Sequence, residues 1–264
     1  MAPQPIVPQF PDEWPDVRKA LDYLTSIPTV IAFTLTFLLG DVALRMSTPF
    51  GVRAMEWTVG VVQKVLLLCF LPSGIKVKVD RHPNVNEHKG YIFIANHQSL
   101  LDVPIFGSLL FSNFPKYVGK VELGRGLPLV SYNMRHTGNV LIERGSGIEA
   151  IEQIQEFART CQERDVAPVI FPEGSRSRDG QLKPFRPGGT VAIMQAAPEM
   201  MVVPTTIDGS WRILERKMWP IPFGTELQVK FHEPIPQAGR PPFEIIKECR
   251  ALIEGTLEEW RADE

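Results

Sequence analysis

Apolar residues fall along this chain in three rhythms, and each predicts a different kind of element. Two long apolar stretches come first. Ile27 to Leu39 is thirteen residues without a charge, with Asp41 just beyond, and Trp57 to Leu71 is broken only by Gln63 and Lys64. Crossing a bilayer core takes ~20 apolar residues, and neither run reaches that length uninterrupted. Three arrangements stay open for residues 17–72. They are a helical pair dipping into one leaflet with Arg45, Arg53 and Lys64 near headgroups, two marginal spans with charges at their ends, or two buried helices of a soluble core.

The second rhythm begins at residue 75 and consists of short strands. Ile75, Val77 and Val79 alternate with lysines, which predicts a half-buried strand. Tyr91–Ala95 and Ala167–Phe171 are continuous apolar runs, as in strands buried on both faces. Lys116–Gly119, Asn139–Ile142, Met200–Pro204 and Glu226–His232 complete the set.

The third rhythm is helical. Ile148, Ile151, Ile154, Phe157, Ala158 and Cys161 recur at spacings of three and four, which marks one apolar face of a helix over 147–164. A helix from Pro242 carries Phe243, Ile246, Cys249, Leu252, Ile253, Leu257 and Trp260 on its inner stripe. Shorter helices are predicted over 100–111, 128–135 and 188–197. Strands separated by helices imply an α/β fold with a mixed, largely parallel sheet covered by helices.

Composition narrows the function. A formal net charge of −2 over 264 residues lacks the basic excess of a nucleic-acid binder. Cys69, Cys161 and Cys249 lie far apart with no C-x-x-C, which argues against a disulfide framework or a thiolate zinc site. No histidine pair has metal-ligand spacing, so no metal is expected. Five of the 24 prolines crowd the first fifteen positions, predicting an extended leader over 1–16. That leader is acidic before the first apolar run and does not read as a secretory signal.

Candidate chemistry lies at two strand ends. After Tyr91–Ala95 comes Asn96-His97-Gln98-Ser99-Leu100-Leu101-Asp102. Five helical residues advance about 140° beyond one turn. His97 and Asp102 therefore meet only if His97 lies in the turn before a helix and Asp102 in its first turns, with Ser99 as a candidate N-cap. An alcohol becomes a nucleophile when a base takes its proton, and imidazole titrates in the right range. A carboxylate at the other ring nitrogen would fix the tautomer. No serine sits in G-x-S-x-G, so the activated nucleophile would be a substrate hydroxyl.

The second cluster, Phe171-Pro172-Glu173-Gly174-Ser175-Arg176-Ser177-Arg178, follows the run Ala167–Phe171. Gly174 permits a turn in which N–H groups converge. Ser175 adds a hydroxyl, Arg176 a fork suited to phosphate, and Lys183 and Arg186 add charge downstream. There is no G-x-x-x-x-G-K-[ST], which disfavours a nucleoside triphosphate.

Together the clusters resemble the PlsC-type glycerolipid acyltransferases. Four motifs agree in order and spacing over residues 75–235: Asn96-His97 with Asp102; Gly138-Asn139-Val140-Leu141-Ile142-Glu143-Arg144; Phe171 to Ser177; and Val202-Val203-Pro204 with Ile207 and Gly209. The resemblance implies His97 as general base with Asp102 as partner. It also implies that Arg144, Gly174, Ser175, Arg176 and Lys120 hold the acceptor phosphate, with Glu173 positioning the turn. It implies acyl transfer from acyl-CoA or acyl-carrier protein, with no cofactor, to the free hydroxyl of 1-acylglycerol-3-phosphate. The partners would be the lysophospholipid acceptor and membrane lipid, with no nucleic acid. Residues 17–72 would seat the enzyme on the cytoplasmic face of the inner membrane, leaving 73–264 as the catalytic domain.

The chain departs from the family pattern at two places. Ser175 stands where threonine is commoner, and Arg186-Pro187 replaces a common Lys-Lys. An acceptor other than lysophosphatidate, such as lyso-ornithine lipid, a lipid hydrolase and a non-catalytic lipid-binding protein are the alternatives.

Overall fold

The computed structural model describes residues 15–143 and 147–262. The chain opens with α1 (Pro15–Ser47) and α2 (Val52–Leu68) and continues with β1 (Lys76–Arg81), β2 (Ile92–Ala95), α3 (Asp102–Leu109) and β3 (Lys116–Lys120). There follow α4 (Val130–His136), β4 (Val140–Ile142), α5 (Ile148–Glu163), β5 (Pro168–Ile170) and α6 (Pro187–Ala196). The chain then forms β6 (Val202–Asp208), α7 (Ser210–Leu214), β7 (Glu226–Phe231) and α8 (Pro242–Ala262). All seven expected strands are present, in one sheet of order β1-β7-β6-β2-β5-β3-β4. The β6–β7 pair is antiparallel and every other pair is parallel.

The apolar strand runs at the centre explain the layering. Side chains alternate across a strand, so Phe93 and Ala95 of β2 face a core shared with Ile105 and Phe106 of α3. Ile92 and Ile94 face the opposite core, shared with Ile154 and Phe157 of α5, Ile193 of α6 and Ile245 of α8. Because β2, β5 and β6 are adjacent and parallel, the loops that follow β2 and β5 emerge at one edge of the sheet, where open α/β sheets hold ligands.

One strand differs from its periodicity. Val77 and Val79 of β1 are 38% and 44% exposed rather than half buried. β1 is an edge strand, paired with β7 alone, so the alternation with lysine does not mark a buried face.

The helical pair is longer than its uncharged runs. Pro15 and Asp16, assigned to the leader, already belong to α1, where a proline at the first position costs no hydrogen bond. Residues 1–14 of the expected leader lie outside the described residues. Asp41 does not end the helix, because Arg45 one turn on pairs with it at 2.9 Å and the Leu129 amide donates to it at 2.7 Å. With the short turns that follow them, Val17–Phe50 and Val52–Ser73 are both long and apolar enough to cross a membrane, with mean hydropathies of 1.9 and 1.6. Only 17% of the apolar window of the first is buried, so α1 is not a core helix. Its outward stripe is Leu24, Ile27, Ile31, Leu35, Leu38 and Val42, continued on α2 by Trp57, Val61, Val65 and Leu68.

The other faces of these helices are fastened to the sheet domain. Ser26 and Asp22 accept from the amides of Ile221 and Phe223, each at 2.8 Å. Glu56 of α2 is buried, and its carboxylate meets Lys116 Nζ at 2.9 Å and Arg164 at 2.6 Å. Burial pulls the Lys116 ammonium below the ordinary lysine value, and Glu56 opposes that shift. At Gly60 a Cβ would collide with the ring of Phe111, and at Gly107 with Gln63, so both glycines let α2 lie close on α3 and the turn after it.

Replacing Glu56 by alanine would strand Lys116 as a buried charge without its partner. The substitution is expected to lower the unfolding free energy by ~3–5 kcal/mol, measured by denaturant titration in detergent, and a loss under ~1 kcal/mol would show that the cluster is not what fastens α2.

Candidate active site

Where β2 ends, the chain cannot continue straight, because Asn96 turns its side chain across to β6. Asn96 Nδ2 donates to the Ile207 carbonyl and Oδ1 accepts from the Ile207 amide, both at 2.8 Å. His97 follows in the turn and Asp102 is the first residue of α3. The imidazole Nδ1 lies 2.8 Å from Asp102 Oδ2, which also accepts from the amides of Gln98 at 2.7 Å and Ser99 at 2.9 Å. A carboxylate can only accept, so the His97 proton sits on Nδ1 and Nε2 carries the free lone pair. Ser99 is not the N-cap expected for this helix. Leu101 holds that position, and the Ser99 hydroxyl, two residues before this cap, accepts from the Leu101 amide at 2.9 Å.

The loop after β5 is built against this turn. Glu173 is buried, and its Oε1 accepts from the His97 amide at 2.6 Å while Oε2 accepts from the Lys183 amide at 2.9 Å. Burial pushes its carboxyl above the usual range, and the two N–H donors pull the other way. The Ser177 amide donates to the His97 carbonyl at 2.7 Å, closing a second link between the loops. Phe171 stacks on the imidazole with ring centroids 4.2 Å apart. Gly174 has φ +67°, a left-handed conformation that a side chain would strain. Lys183 Nζ donates to the Arg176 carbonyl at 2.5 Å and to Ser175 Oγ at 3.3 Å, holding the turn from behind.

These groups share one cleft of about 880 Å³. His97, Lys120, Gly174, Ser175 and Arg176 all line it, and Arg178, Lys183 and Arg186 add positive charge. Asp179 also lines it, and one wall is apolar, formed by Val118, Leu123, Ile142, Ile154 and Ile170. Asp102 and Glu173 are buried behind it. Lys120, at the end of β3, is exposed at the mouth. Arg144 lies outside the described residues.

Sequence reasoning did not find four supporting residues: Gln98, Asp208, Ser210 and Arg261. Gln98 Nε2 donates to Asp208 Oδ1 at 2.8 Å, and Arg261 Nε donates to Asp208 Oδ2 at 2.8 Å. Burial pulls the Asp208 carboxyl upward, but the bonds from Arg261 and Gln98 outweigh it and hold the group below the ordinary carboxylate value. Arg261 stands at the far end of α8, so no local spacing ties it to the site.

The Acyltransferase family profile matches residues 76–208, half of the chain. The chain is 27% identical over 224 residues to the 1-acyl-sn-glycerol-3-phosphate acyltransferase of Cocos nucifera, covering 83% of this chain and 67% of that protein. It is 27% identical over 208 residues to that of Saccharomyces cerevisiae, covering 76% and 65%, and 31% identical over 130 residues to that of Escherichia coli K12, covering 49% and 52%. The chain thus spans about two thirds or less of the length of these relatives. Among solved structures, PlsC from Thermotoga maritima, a 1-acyl-sn-glycerophosphate acyltransferase, superposes with a TM-score of 0.73 at 22% identity, over 93% of this chain and 98% of that one. At that identity the likeness is one of fold.

Because Glu173 accepts from both loops, Glu173→Gln would set an amide NH₂ against one of the two N–H donors. A loss of ~1–3 kcal/mol is expected in denaturant titration, and an unchanged midpoint would show that the bridge does not hold the turn.

Proposed function

The chain belongs to the PlsC-type acyltransferase family, and from that membership we propose that it transfers a fatty acyl chain to the free hydroxyl of 1-acylglycerol-3-phosphate. The product is phosphatidic acid, a step of phospholipid biosynthesis. The observation that carries this reading is that an imidazole base and a cationic turn line the same cleft beside an apolar wall.

The proposed steps give each of these groups a role. Arg176, Ser175 and the turn at Gly174 hold the acceptor phosphate, with Lys120 and Arg144 assisting. His97 Nε2 takes the hydroxyl proton as the oxygen attacks the thioester carbonyl. Asp102 stabilises the imidazolium that forms. The tetrahedral intermediate collapses with cleavage of the C–S bond, and the proton on His97 passes to the departing sulfur, giving free thiol. The acyl-CoA or acyl-carrier-protein donor is consumed as a substrate, and the scheme uses no cofactor and no metal.

The apolar wall formed by Val118, Ile142, Ile154 and Ile170 suits an acyl chain. The apolar stripes of α1 and α2 seat the protein on membrane lipid at the cytoplasmic face of the inner membrane. A leaflet seat removes the need to extract a long chain into water, which costs about 0.8 kcal/mol per CH₂.

His97→Ala is expected to lower the rate of thiol release by ~10²–10⁴-fold while lipid binding is retained. Wild-type turnover in that variant would rule out the base. Arg176→Ala is expected to raise KM for lysophosphatidate ~10-fold with kcat little changed, because the phosphate contact acts in ground and transition states alike. The assay is a matrix of acyl-CoA and acyl-carrier-protein donors against lysophosphatidate and a phosphate-free lysolipid. Preference for the phosphate-free acceptor would overturn the assignment of the cationic turn.

A further inference from the structure

Asp102 has two oxygens, and the second is held by a residue far away in sequence. Ser210 Oγ donates to Asp102 Oδ1 at 2.5 Å, and both residues are fully buried. Oδ2 already accepts from His97, Gln98 and Ser99. Ser210 is thus the donor that the described residues bring to the opposite oxygen, and it sets the rotation of the carboxylate plane. Without it, Oδ1 would be a charged oxygen buried without a hydrogen bond, and the carboxylate would turn to find one.

The fold holds Ser210 in place by unusual means. Gly209 has φ +88°, and a Cβ there would collide with the Glu226 carbonyl of β7, so the chain folds sharply from β6 into α7. Within that turn the Gly209 amide donates to Asp208 Oδ1 at 2.8 Å. Asp208 is in turn held by donors from Gln98 Nε2 and Arg261 Nε, each at 2.8 Å. Arg261 also donates to the Gly180 carbonyl at 2.7 Å, on the loop that carries the cationic turn.

Resting on the acyl-transfer reading, we propose that Ser210 is a positioning residue, whose hydroxyl, seated by the Asp208–Gly209 turn that Arg261 pins, locks the carboxylate of Asp102 and thereby the tautomer and aim of the His97 ring. Ser210 does not line the cleft and touches no reacting atom. The other ionisable groups facing the pair are Tyr117, near enough to feel the Asp102 charge, and Glu173, on the His97 amide. Tyr117 donates to the Val103 carbonyl and Glu173 accepts from the amides of His97 and Lys183, so neither is bonded to the Asp102 carboxylate or the His97 ring.

The test compares Ser210→Ala with Ser210→Thr, and Arg261→Gln with Arg261→Lys. Arg261 is partly exposed, which gives a second entry to the network if the buried serine variants fold poorly. Loss of one charge-assisted hydrogen bond predicts a fall in kcat of ~10–100-fold for Ser210→Ala, with rescue by threonine, and a smaller fall for Arg261→Gln. The acceptor KM is expected to stay within ~2-fold, since no substrate contact is lost. Ring ¹⁵N spectra of His97 should show the Nδ1–H tautomer depleted in Ser210→Ala and in Arg261→Gln. Wild-type ring spectra in both variants would overturn the proposal, as would a fall in kcat with unaltered tautomer populations. The spectra need no substrate. If the wild-type protein released no thiol, the acyl-transfer reading would fail while the ring spectra still decided the role of Ser210.

Discussion

One buried carboxylate, Glu173, has to satisfy two loops, and the cleft exists because it does. Its oxygens accept from the backbone of His97 on one side and of Lys183 on the other. Neither loop has a strand partner at that level of the sheet, so these bonds, with the Ser177–His97 link, set the separation between imidazole and cationic turn. A carboxylate suits this better than a neutral amide, because it accepts at both ends and donates at neither. The cost is desolvation, visible in the upward push on its protonation equilibrium.

A second buried carboxylate, Glu56, does the same work on a larger scale. It joins α2 to β3 and to the end of α5 through Lys116 and Arg164. The apolar helices are thus part of the body that carries the site, and not a tether. Their outward stripes and the cleft keep a fixed relation, which is what a protein working on lipid at a surface requires.

How much of this was legible in the sequence depends on the range of the interaction. The strands appear as short apolar runs because burial on both faces leaves no polar positions, as in Ile92–Ala95. The face of α5 is legible because its spacing is local. His97 and Asp102 are five apart, and the turn that brings them together follows from that spacing. Exposure of β1 was not legible, since its neighbour β7 comes from the far end of the chain. The extent of α1 was not legible either, because the pairing of Asp41 with Arg45 and the Leu129 amide lies outside any count of uncharged residues. Ser210 stands 108 residues from Asp102, and no spacing rule reaches that far. Ser99 misled for the opposite reason: a hydroxyl near a helix start satisfies a nearby amide in more than one way.

The edge strand β1 has a consequence for how copies of the protein coexist. Seated on a bilayer as proposed, molecules diffuse in two dimensions and collide edge to edge far more often than in bulk solution. β1 presents an open ladder of backbone groups, but the exposed charges Lys76, Lys78 and Asp80 stand along it, and Lys78 is paired to Glu226 on the neighbouring strand. Docking a second sheet there would strip water from these charges, so the free ladder is a poor template for strand pairing. Crowded protomers can slide past one another without zipping into fibres.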